Sequence, residues 1–226
     1  TGATTGGVTY YYRLTSFDAA TYVNQSFFTD TKSATVASSG NTTWYVNDTA
    51  TSADSFTYAG GSDTSYGDGS SSKPYRSLGL ALSKVKSGDT IYVDAGLYDS
   101  YVYVSSTETA AAKIDTDYIT IIGKDSASTI IDPQGPNTIS TMYGIYADTQ
   151  TGLVIKNMAV TGAYDGIKFV NVDSSIITGD SVSYNREYGI YLLNGSDSNT
   201  MSNNTVISNS SGGDFAGIIL RASAYN

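Results

Sequence analysis

The chain has 226 residues, of which 40% are hydrophobic and only 15% charged, with a net charge of −9 and neither cysteine nor histidine. That composition supports a core but excludes disulfides, thiolate metal sites and a histidine general base. It also argues for no nucleic acid partner, which needs clustered Lys and Arg, and no apolar run approaches the roughly 18 residues of a membrane span.

With so few charges, the surface must be built largely from Ser, Thr, Asn, Gly and the 20 tyrosines. These residues suit long β ladders, where β-branched and aromatic side chains pack well. A protein held together by such a ladder needs no disulfide staple, and an extracellular or cell-surface location is expected.

Residues 1–40 read differently from the rest. After the Gly6-Gly7 turn, Val8 to Asp18 alternates as a strand, and a second apolar stretch from Val23 to Phe28 leads to Ala34-Thr35-Val36. Gly7-Val8-Thr9-Tyr10, continued by Tyr11-Tyr12-Arg13-Leu14 and ending at Asp18, resembles the penultimate strand of a fibronectin type III domain. The resemblance implies that a tyrosine-corner hydrogen bond falls on Tyr10. Two or three strands do not make a sandwich, so 1–40 is expected to be a partial fibronectin type III-like segment or a strand-exchange arm. Either its preceding strands were removed, or it completes a sheet elsewhere.

A second region, 41–226, begins with a strand at Trp44-Tyr45-Val46-Asn47 and a Gly/Ser/Asp-rich loop through Gly69. Pro74 is predicted to open a helix over 74–87, with Leu78, Ala81, Leu82 and Val85 on one face and Ser87-Gly88 ending it. Strands follow at 88–93, 101–104, 119–123 and 129–132. The ordered series Tyr45-Val46, Gly61-Ser62-Asp63, Gly67, Lys73 to Leu78, Ala81-Leu82, Gly88 to Val93 and Gly96-Leu97-Tyr98 resembles right-handed parallel β-helix proteins of the pectin-lyase-like superfamily. That resemblance implies an all-β solenoid whose first turn is capped by the helix.

The remaining residues carry the repeat. Gly-Ile steps at Gly144, Gly166, Gly189 and Gly217 recur at intervals of 22, 23 and 28 residues, a period typical of a stacked solenoid. Alternation points Ile145, Ala147, Ile167, Phe169, Ile190, Leu192, Ile218 and Leu220 inward, and Tyr146, Lys168, Tyr191 and Ile219 outward. Ile155, Ile177 and Met201 should align, as should Val160, Val182 and Val206. Asn157, Gly179 and Asn203 share one turn position, which breaks an asparagine ladder at its middle rung. The chain stops at Arg221 to Asn226 without a capping helix, leaving an open rung as a template for more strands.

Chemistry has few footholds. Asp165, Glu187 and Asp214 precede successive Gly-Ile steps, where stacking would raise a pKa, bind a cation or supply the paired carboxylates of a glycoside hydrolase. Lyases of this fold use a Lys or Arg base beside acidic groups, which points to Lys168 near Asp165, with Arg186 and Arg221 as further basic residues. No family catalytic motif maps onto these positions, and the simpler reading of the three acids is solvated turn residues. Tyr146, Lys168 and Tyr191 read better as a glycan-binding column or as plain ladder packing. No cofactor is expected, except that Asp63 and Asp68 in the 60–69 loop would form a Ca²⁺ site if it is more than a turn. Sequons at Asn24, Asn41, Asn47, Asn194, Asn203 and Asn209 are candidate glycosylation sites.

The leading expectation is therefore a non-catalytic extracellular protein, structural or adhesive, whose partners are other copies of itself in a homo-oligomer or head-to-tail filament, or polysaccharide. The alternatives are a polysaccharide lyase or glycoside hydrolase, and a glycan-binding module.

Overall fold

A computed structural model describes residues 9–12, 32–35, 42–133, 141–210 and 217–221, in two compact units, Thr1–Gly40 and Asn41–Asn226. In the first unit the described residues form β1 (Thr9–Tyr12) and β2 (Lys32–Thr35), paired antiparallel with Thr9 opposite Thr35. The rest of the predicted 8–18 strand, the 23–28 stretch and the side chain of Tyr10 lie outside the described residues, so the fibronectin-like reading stays an expectation.

The second unit is a right-handed parallel β-helix. Its first sheet runs, from one edge to the other, β19 (Ile218–Arg221), β16 (Ile190–Leu193), β13 (Ile167–Val170), β10 (Thr141–Asp148), β7 (Glu108–Ile114) and β6 (Val102–Tyr103). The second comprises β17 (Thr200–Ser202), β14 (Ile176–Thr178), β11 (Val154–Lys156), β8 (Thr120–Gly123), β4 (Thr90–Val93) and β3 (Thr43–Val46). The third comprises β18 (Thr205–Ile207), β15 (Ser181–Ser183), β12 (Ala159–Val160), β9 (Thr129–Ile131) and β5 (Gly96–Tyr98). Neighbouring strands in each are parallel and in register, with one exception: β6 and β7 pair antiparallel at the edge of the first sheet. Because β7 in turn pairs parallel with β10, that hairpin leaves the columns above it intact.

The register explains the alternation. Ile145, Ile167 and Ile190 are fully buried and paired rung to rung, as are Ile155 with Ile177 and Val160 with Val182. Rungs about 4.8 Å apart thus stack equivalent aliphatic side chains into one core. Ile218 and Leu220 keep the same register but are 43% and 47% exposed.

The glycines that mark the repeat sit where a side chain has no room. A Cβ on Gly166 would lie 2.6 Å from Val182 Cγ1 and 2.6 Å from the carbonyl oxygen of Gly189 one rung on. Gly144 meets Val160 and Gly166 in the same way, and Gly189 meets Val206 and Gly217. The valine column and the glycine spacing are therefore one constraint seen from two strands.

The helix is shorter than the sequence pattern predicts. α1 spans Leu78–Leu82, with Ser77 as N-cap accepting from the Leu80 amide at 3.3 Å. Upstream, Tyr75 bridges parallel to Val46, which keeps 74–76 extended. Downstream, the Ser83 hydroxyl donates to the Leu80 carbonyl at 2.7 Å, and such local bonds compete with helix continuation. Leu78, Ala81 and Leu82 are buried against β3 and β7, and Val85 packs at the margin of the core.

The loop from 48 to 60 is fastened by Asp94, which is fully buried. Its carboxylate accepts from the Ser55 amide at 2.7 Å, the Phe56 amide at 2.7 Å, the Thr57 amide at 2.9 Å and the Thr57 hydroxyl at 3.0 Å. Asp89 plays a similar part for Thr42, the Trp44 indole and Lys86; burial pushes its pKa up, but these donors outweigh burial and hold it below the usual range.

Candidate functional site

The outer face of the first sheet gathers the chain's chemistry. Lys168 on β13 points outward, flanked in register by Tyr146 on β10 and Tyr191 on β16. Its ammonium lies 4.3 Å from the centre of the Tyr143 ring and 5.6 Å from that of Tyr191, both within cation–π range. It donates to the Tyr143 hydroxyl at 2.9 Å and sits 3.6 Å from Asp165 Oδ2. Tyr143 stacks on Tyr146 at 5.3 Å, and Tyr188 tilts against Tyr191 at 4.6 Å. Tyr191 is 8% exposed, so Tyr146 and Tyr188, both half-buried, form the accessible aromatic edge.

Carboxylates hold the tyrosines. Tyr143 donates its hydroxyl to Glu108 at 2.5 Å, and Tyr164 donates to Glu187. Tyr146 faces Asp148 at a long 3.4 Å. Burial, then the bond to Glu108, raises the Tyr143 pKa; burial with Asp148 nearby takes Tyr146 up to about 12, and the bond to Glu187 takes Tyr164 up to about 12. Asp165 is itself buried and is pushed up to about 6 by desolvation, with Glu187 adding to the rise while Lys168 and the Tyr188 amide oppose it.

The stacking differs by one residue from a simple carboxylate column. Asp165 faces the Tyr188 amide, whereas Glu187 bonds back to Tyr164 through both backbone and side chain, so the two acids occupy adjacent columns. Asp214 lies outside the described residues. Sequence reasoning missed Tyr143, Glu108 and Tyr164. The signal for Tyr143 was present: it precedes Gly144 just as Asp165 and Tyr188 precede Gly166 and Gly189.

The turns carry ladders that the sequence places one residue away. Asn157, Gly179 and Asn203 have φ of 62°, 72° and 55°, so this position is a left-handed turn rather than a ladder. The ladder runs through the following residues, where the Met158 amide donates to Asp180 and the Asp180 amide to Asn204. Parallel series join Ala163, Asn185 and Asn209, and Leu153, Ser175 and Asn199. The side-chain amides of Asn199, Asn204 and Asn209 donate to carbonyls one rung back.

This geometry bears on the sequons. Asn47 is fully buried with its amide bonded to Ala50, Asp54 and Ala59, and the Asn209 amide donates to Val182. Asn194 and Asn203 are exposed in left-handed turns, and Asn24 and Asn41 lie outside the described residues.

Fold and face together define a parallel β-helix protein with an aromatic, carboxylate-rich outer sheet. The chain belongs to the family described as periplasmic copper-binding protein (NosD), whose model matches residues 83–226. No curated protein and no solved structure matches it. The family is periplasmic, which places the chain outside the cytoplasm, and among the described residues no helix is long and apolar enough to cross a membrane.

Membership corrects the expectation that no cofactor is involved, because the family is copper-binding by description. Calcium is not supported: Asp63 accepts from the Arg76 and Ser77 amides and Asp68 from the Ser70 amide, each organising a turn. Copper sites draw on imidazole, thiolate or thioether ligands, or on several converging nitrogen and oxygen donors for Cu(II). The chain has no His or Cys, Met158 is fully buried in the core, Met201 packs against it, and Met142 lies on a different sheet. Among the described residues no three His, Cys, Asp or Glu side chains converge to hold a metal. These residues do not fit a copper ion, and no step is derived through one.

Proposed function

We propose that the chain is a non-catalytic surface or adhesive β-helix that contacts polysaccharide through the outer face of its first sheet. The observation that carries this reading is the outward column Tyr146–Lys168–Tyr191, flanked by Tyr143 and Tyr188, in register on successive rungs. Aromatic rings with a nearby cation and hydrogen-bonding hydroxyls suit the apolar faces and polar edges of sugar rings. A tyrosinate base would require a lowered pKa, and the carboxylates and burial move Tyr143, Tyr146 and Tyr164 the other way. Affinity electrophoresis through immobilised polysaccharides tests the reading: wild-type protein should be retarded, and Tyr146→Ala and Lys168→Ala should migrate freely, with circular dichroism showing that each is folded. Unretarded wild-type protein across acidic and neutral glycans would end it.

A second reading, a lyase or glycoside hydrolase, is favoured by Asp165, whose pKa of about 6 beside Lys168 lies in the range of a general acid or base. Release of reducing or unsaturated ends that disappears in Asp165→Ala and Lys168→Ala would establish it. Head-to-tail assembly rests on segments outside the described residues; strictly monomeric sedimentation at high concentration would remove it.

A further inference from the structure

We infer that the outer face selects glycans presenting hydroxyl donors and no carboxylates, that is, neutral hexose polymers in preference to uronates; this rests on the glycan-binding reading above. Donors and acceptors are unequally spent on this face. Two of the three N–H donors of Lys168, the cation of the patch, are committed to the Tyr143 hydroxyl and Asp165. The hydroxyl protons of Tyr143 and Tyr164 are committed to Glu108 and Glu187. Tyr143 is buried, and what Tyr164, Glu108 and Glu187 present outward is acceptor capacity, since an ionised carboxylate only accepts and a tyrosine that has donated its proton keeps its lone pairs. A ligand must therefore bring most of the protons.

Charge points the same way. Lys168 is surrounded by Glu108, Asp165 and Glu187, with Asp148 at the edge by Tyr146, and Lys113, two rungs from Lys168, is paired to Asp115 at 2.9 Å. Arg186 lies over the Tyr164 ring at 5.5 Å. A uronate carboxylate seated on this face would meet acids with no uncommitted lysine to receive it, and like charges brought together in a partly desolvated site are strongly disfavoured. A neutral sugar meets aromatic faces and oriented acceptors.

The test compares binding of a soluble neutral β-glucan and of polygalacturonate to the full chain at pH 7.5 and low ionic strength, for wild type, Glu187→Gln and the double variant Glu108→Gln/Glu187→Gln. Circular dichroism confirms that each variant is folded. Wild type should bind the neutral polymer at least about tenfold tighter, a difference of ~1.4 kcal/mol. The glutamine variants should narrow that ratio by gaining uronate affinity. Equal or tighter binding of polygalacturonate by wild type overturns the inference while leaving the glycan-binding reading in place. A preference unchanged in both variants overturns the role given to the acids, and no binding of either polymer overturns inference and reading together.

Discussion

Two buried aspartates, Asp94 near the start of the β-helix and Asp180 in its regular coils, have opposite surroundings. Asp94 collects loop amides and a hydroxyl from three consecutive residues, so its charge fastens 55–57 to the core. Asp180 accepts from the Met158 amide, but its second oxygen is buried without a hydrogen-bond partner, and desolvation pushes its pKa up to about 7. An irregular loop can aim several amides at one carboxylate. A coil repeating rung by rung delivers an amide on one side and a carbonyl on the other, which suits asparagine. Asn204, the next residue in the column, meets both, donating to the Ile177 carbonyl at 2.8 Å.

Substitutions should expose that contrast. The largest effect is expected from Asp94→Ala, which strands several amides at once and should cost about 3–5 kcal/mol in urea unfolding, with hydrogen exchange accelerated over 48–60. Gly166→Ala forces a Cβ against Val182 and the Gly189 carbonyl and should destabilise by about 2–3 kcal/mol. Asp180→Asn should act in the opposite direction, raising stability by about 1–2 kcal/mol as the new amide reaches the Ile155 carbonyl. A loss of stability there would show that the carboxylate is needed.

The pH dependence follows from the same residue. Asp180 has a raised folded pKa, so between pH ~4 and ~7 the native state holds a proton that the unfolded chain releases, and stability falls as pH rises through that window. Asp165 contributes in the same direction up to about pH 6. Thermal melts of Asp180→Asn should show a flatter decline, and an unchanged slope would assign it elsewhere. The smallest effect is expected from Lys113→Ala, whose surface pair with Asp115 should be worth no more than about 1 kcal/mol.

The parts of the fold that the sequence made legible are those where one residue type is sterically required. The Gly-Ile steps fixed the rungs because the valine column leaves no space for a side chain, and the alternation around them fixed inside and outside. β7 escaped notice because Ala110, Ala111 and Ala112 are all buried, in a strand that also packs against α1, so no alternation remains. The inward polar ladders were hidden for a related reason: Asn, Ser and Asp in a turn look solvated unless the rung above is known to supply a carbonyl. At the outer face the column Tyr146–Lys168–Tyr191 was readable from register. The binding of tyrosine hydroxyls to Glu108 and Glu187 was not, since it depends on a one-residue offset between strands.

Every column invoked here depends on superposed rungs, and the chain's lack of cysteine allows that to be tested without background. Thr178 and Ser202 face outward on adjacent rungs with their hydroxyls 2.9 Å apart. The double variant Thr178→Cys/Ser202→Cys should oxidise to a full intramolecular disulfide, its Cα separation lying within the range such bonds need. Under the same conditions Thr178→Cys/Thr200→Cys, shifted by two residues, should remain reduced. Efficient oxidation of the shifted pair, with the in-register pair staying free, would contradict the stacking and with it the outer face.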